Sequence, residues 1–164
     1  MSMIRTNCTP RHRSGAATAE LAIVLIFIFM PFALGMWEGA RLVEVQQVVA
    51  NAAREGGRQA STGQSTNDAV QRAVCTYLKN AGLPDYTSQR TTIVTVTNLT
   101  HSGVDCTAAT DLDQIQVTVT IPFNDVRWIN LYLITDTTTQ VTFTATWTSM
   151  RDLDYPTPTP PVGF

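Results

Sequence analysis

Two places in this 164-residue chain hold side chains whose type and spacing could do chemistry. The first is Glu20. It stands five positions after Gly15, at the mouth of a run from Leu21 to Trp37 that contains no charged residue. A carboxylate at the end of a membrane helix is costly until it finds a cation, so such an acid is a candidate for a specific contact. The second is His101, close in sequence to Asp105 and Cys106. A thiol–imidazole pair would need a base held against the nucleophile, and no motif of that kind surrounds these residues. Cys75, His101 and Cys106 lack the paired spacing of a zinc site. The expectation is therefore no catalytic, metal or cofactor site. Asn98-Leu99-Thr100 has the form of a glycosylation triplet, a pattern short enough to recur by chance.

The elements that would position Glu20 are legible. Residues 1–15 carry Arg5, Arg11 and Arg13 and no acid, and they read as a basic leader. These are three of the eleven basic side chains; the remaining eight face thirteen acids, so residues 16–164 carry −5. A basic start, an apolar run and an acidic remainder fit a single span with its positive flank in the cytoplasm. Residues 16–37 are long enough to cross a hydrocarbon core of about 30 Å as a helix. Pro31 should bend that helix, and Trp37 closes it with a ring suited to the interface. An ordinary secretory signal is the alternative, with a cut after Ala33-Leu34-Gly35 releasing a soluble domain from Met36.

Beyond the span, Leu42, Val45, Val49 and Ala52 recur at helical spacing, with Val48 and Ala53 widening the stripe. Residues 38–62 thus read as an amphipathic stalk, weakened at Gly56-Gly57. The stripe can serve as a coiled-coil seam, as a contact in an assembly, or as cover for the domain's own sheet. A second helix is expected over Thr66–Asn80, stopped by Gly82 and Pro84. Strict alternation marks strands at Ile115–Ile121 and Val141–Trp147, and a less regular one at Ile93–Leu99. The segment Asp125–Thr135 is apolar without a clear period, either a short helix or an exposed loop. Residues 63–150 then form an α+β head with a three-stranded antiparallel sheet, and residues 151–164 form a Pro/Thr-rich extended tail.

Cysteine and charge narrow the setting. Cys8 lies in the leader, and Cys75 and Cys106 lie in the head. If the head is exported, Cys75 and Cys106 can close a disulfide; otherwise they are two buried thiols. An acidic body whose single lysine is Lys79 offers no footprint for nucleic acid.

Three motifs, in order, resemble the TadE-like family of pilin-like proteins that serve tight-adherence pili. They are Gly15-Ala16-Ala17-Thr18-Ala19-Glu20-Leu21-Ala22, Trp37-Glu38-Gly39-Ala40-Arg41, and the stretch from Asn51-Ala52-Ala53-Arg54 through Gly56-Gly57-Arg58 to Ala60. The resemblance implies cleavage by a leader peptidase between Gly15 and Ala16, leaving Glu20 as the fifth residue. It implies that Glu20 then meets the terminal amine of a neighbouring subunit. The implied partners are other pilin-like subunits, the inner-membrane assembly platform and membrane lipid, with the head periplasmic or extracellular and no cofactor. A secreted or simply anchored binding domain without a pilus role is the competing expectation.

Overall fold

The computed structural model describes residues 14–128 and 135–150. One helical path runs from Gly15 to Ser61, 47 residues, with an apolar stretch long enough to cross a membrane. It comprises α1 (Ser14–Val24), a π-helical stretch (Leu25–Phe29) and α2 (Met30–Ser61). The wide turn lies just before Pro31, and the Met30 amide bonds to the Leu25 carbonyl, five residues back. Proline has no N–H for the carbonyl four residues before it and crowds that carbonyl sterically. A π-type turn relieves both problems without ending the helix.

The helix also passes through Gly56-Gly57 unbroken. The expectation of weakness there misses why the glycines are useful. A Cβ on Gly56 would lie 2.5 Å from Val74 Cγ2, and one on Gly57 would lie 2.1 Å from Trp147 Cδ1. Bare backbone at these two positions lets the next helix and the sheet approach α2 more closely than any side chain would allow.

α3 (Asn67–Asn80) begins where the Thr66 hydroxyl accepts from the Ala69 amide at 3.2 Å, a standard N-cap. It ends with Gly82 at φ +84° and the Leu83 amide bonded back to the Leu78 carbonyl at 3.1 Å. Only a residue tolerant of positive φ closes a helix this way, which is the work expected of Gly82. A single turn, α4 (Arg90–Ile93), leads into the sheet.

β1 (Val94–Asn98), β2 (Gln114–Pro122) and β3 (Gln140–Thr148) form an antiparallel sheet in the order β1-β2-β3. Val96 pairs with Val117, and Val117 with Ala145, so the apolar positions share one face. The other face carries threonine, with Thr118 to Thr144 at 3.0 Å and Thr120 to Thr142 at 3.1 Å between hydroxyls. Ile115, Val117, Val119 and Ile121 are fully buried against Val45, Val49, Ala52 and Ala53 of α2 and Val70, Val74 and Leu78 of α3. Burial of each Val, Leu or Ile there contributes about 1.5–3 kcal/mol. The stripe on α2 therefore covers the protein's own sheet, and the architecture is α+β as the alternation requires. The head is packed along α2 over the whole length read as a stalk.

Candidate functional site

The anchor presents its side chains outward. Leu21, Ile23, Leu25, Ile26, Phe27, Ile28, Phe29 and Phe32 are each at least half exposed on the isolated subunit. A lone helix showing this much continuous apolar surface is suited to lipid or to neighbouring helices rather than to water. Gly15, Ala16 and Glu20 all lie on α1 and are exposed, so the scissile bond and the acid expected from sequence occupy one accessible helix start. No ion pair to Glu20 is found among the described residues.

Where the apolar run ends, the head closes around the helix. Glu38, the first charged residue beyond Trp37, is buried and accepts a hydrogen bond from the Thr135 hydroxyl. Arg127 lies 3.9 Å from the same carboxylate oxygen, and its side chain is also buried. It donates to the Thr135 hydroxyl at 3.1 Å and to the Asp136 carbonyl at 3.2 Å. One turn further along α2, Arg41 donates to the Val126 carbonyl at 3.1 Å and to Glu44 at 2.8 Å. Its guanidinium stands 4.8 Å from the Trp128 ring centroid, over the π face. Trp128 in turn meets Trp37 edge to face, centroids 5.9 Å apart. The sequence reading singled out Trp37-Glu38-Gly39-Ala40-Arg41 only as a motif. Its partners, Arg127, Trp128 and Thr135, all fall in the apolar segment Asp125–Thr135, but nothing in the sequence ties that segment to this motif. Of the ambiguous segment Asp125–Thr135, Asp125 closes a 3-10 turn that begins at Phe123 and Trp128 is exposed; residues 129–134 lie outside the described residues.

The head residues considered for chemistry are drawn apart. His101 bonds Asp113 at 2.9 Å, not Asp105 or Cys106. Asp105 instead receives the Asn67 and Thr107 amides, and the Cys106 amide is held by the Asn67 side chain at 3.1 Å. Burial, and next the neighbouring Asp105 charge, raises the Cys106 thiol to about 11. Burial likewise raises the Cys75 thiol, with Asp85 adding to the effect. Both thiols stay protonated and unreactive at neutral pH.

Of the two readings open for the head cysteines, the structure has the unbridged one. Both cysteines are buried free thiols. Cys106 is tied to the start of α3 through Asn67, whereas Cys75 lies two turns further on with Sγ 3.7 Å from the Tyr86 carbonyl. Asn98 is buried as well. Its amide donates to Asp113 at 2.8 Å while its carbonyl oxygen accepts from the Thr100 and His101 amides at 2.9 Å. The triplet is a structural turn whose amide is already engaged. Hydrogen bonds from Asn98 foremost, then from Thr110 and His101, hold the Asp113 carboxyl down at about 2. Among the described residues, no three His, Cys, Asp or Glu side chains gather as a metal site.

Neither curated proteins nor solved structures give a match to the chain. The family comparison does, and it falls on the helix whose accessible acid, close-packing glycines and head-binding junction have just been described: residues 15–58 match the family described as TadE-like protein.

Proposed function

We propose that the chain is a membrane-anchored, pilin-like subunit or assembly factor, a minor pilin, of a tight-adherence type IV-like pilus. The observation that carries this reading is the TadE-like match over residues 15–58, on a helix whose apolar half is bare and whose other half carries the head. The anchor sits in the inner membrane with its basic start in the cytoplasm and the head on the periplasmic side. A leader peptidase cuts between Gly15 and Ala16. Glu20, exposed on the same helix start, then accepts the new terminal amine of a neighbouring subunit, which relieves the cost of its charge at the membrane. The other partners are pilin-like subunits and the assembly platform.

Mass spectrometry of the mature amino terminus tests the processing step. Ala16 supports it. Met36 would indicate release of a soluble domain, and an intact start would indicate an uncut anchor; either sinks the pilin reading. Glu20→Ala in the native host should leave the protein membrane-bound and abolish piliation.

A further inference from the structure

We propose that Trp128 is a second membrane contact, so that the head is seated on the headgroup layer beside the helix. The inference rests on the reading of the apolar helix as a membrane span. The 22 residues from Ala16 to Trp37 rise about 33 Å as a helix, slightly more than the hydrocarbon core of about 30 Å. Trp37 therefore falls at the outer boundary. Trp128 belongs to the head, yet its ring centroid is 5.9 Å from that of Trp37. It shares one small cavity with Leu34, which is inside the apolar run, and another with Ala40 and Glu44, which lie beyond it. The head's ring thus straddles the level at which the helix leaves the lipid.

The charges nearest the apolar run are arranged to match, while Glu44, a turn further out, is exposed and paired with Arg41. Glu38 is turned into the head, with its side chain 6 % exposed. The Arg41 side chain is 11 % exposed and is capped by the face of Trp128. Among the described residues at this level the two indoles are exposed, Trp37 at 55 % and Trp128 at 63 %, alongside exposed Phe32 and Met36. Carboxylate inward, guanidinium covered and indole outward is the order an interfacial surface favours, because an indole suits the headgroup region and a bare charge does not suit lipid tails. The occupant indicated is therefore lipid, by continuity with the lipid-facing surface of the span.

Bromolipid quenching of the full chain in phosphatidylcholine vesicles tests this. Trp37, Trp128 and Trp147 are the tryptophans. The pair Trp37→Phe/Trp147→Phe isolates Trp128, and Trp128→Phe/Trp147→Phe isolates Trp37. Both indoles should lose emission in vesicles brominated near the headgroup. If Trp37 is quenched while Trp128 keeps its emission and responds to aqueous iodide, the head stands clear and the proposal fails, with the anchor intact. If Trp128 is shielded from both bromine and iodide, a second copy covers it and the proposal also fails. If neither indole is quenched by bromolipid, the span reading itself fails and takes the proposal with it. Should a double variant misfold, Trp128→Phe alone decides: it must lower the quenchable fraction of the wild-type emission, and an unchanged fraction overturns the contact.

Discussion

Arg127 Nη1 lies 3.9 Å from Glu38 Oε1, and the two side chains are only 2 % and 6 % exposed. This buried pair joins the long helix to the loop after β2 just beyond the end of the apolar run. Truncating one partner strands the other charge in a poorly hydrated place, which costs about 3–5 kcal/mol for a buried pair. Glu38→Ala should therefore lower the stability of the head by about that amount, measured by urea unfolding of the full chain in detergent. Glu38→Leu/Arg127→Met should recover much of the loss, since replacing both charges removes the stranded one. Equal stabilities for the single variant and wild type would show that the pair has no such role.

Gly57→Ala offers an inverted expectation. In an ordinary helix interior this change gains up to about 1 kcal/mol. Here the new methyl would meet Trp147 at 2.1 Å, so the indole must move and β3 with it. Overpacking of this kind costs about 1–3 kcal/mol. A lower thermal midpoint for Gly57→Ala than for wild type is the expected result; a higher one would mean that Trp147 rotates away freely.

Acid should act on the Asn98–Asp113–His101 cluster. The folded Asp113 carboxyl is held at about 2, below its ordinary value of 3.8. A group with a depressed folded value contributes stability above its unfolded value and loses it as pH falls toward the folded one. The Asp113 contribution should thus be level above about pH 4 and decline from there toward pH 2, alongside that of Glu55, whose carboxyl is also held down at about 2. Asp113→Asn should show a shallower decline than wild type across that window, read from thermal melts. Identical slopes would remove Asp113 as a source of the acid sensitivity.

Free, buried thiols predict a simple labelling result. Iodoacetamide added without reductant should leave Cys75 and Cys106 unmodified in the folded protein and alkylate both once it is unfolded. Peptide mapping that recovers the two linked to each other would restore the bridge that sequence suggested.

The fold was largely readable because its signals are local. Alternation at Ile115–Ile121 and Val141–Trp147 needs only the period of a strand, and Thr66 and Gly82 mark the ends of α3 by their own backbone preferences. The junction was not readable in the same way. Nothing near Arg127 or Thr135 announces that they meet Glu38, because that meeting depends on how the sheet returns to the helix. Gly56-Gly57 reads from sequence alone as a weak point, since the value of a missing side chain appears only once Val74 and Trp147 are in place. Composition leaves the cysteines open between a bridge and two buried thiols, and only the packed head distinguishes them.

The continuity of the helix from Gly15 to Ser61 has a mechanical corollary. The same backbone ladder supports the exposed apolar turns and the turns packed against the sheet, with a widened π turn but no break between them. Force applied to the head is therefore delivered along one unbroken helix to its apolar half. Drawing that half outward by one helical turn, about 5.4 Å, carries Glu38, Trp128 and the whole sheet the same distance.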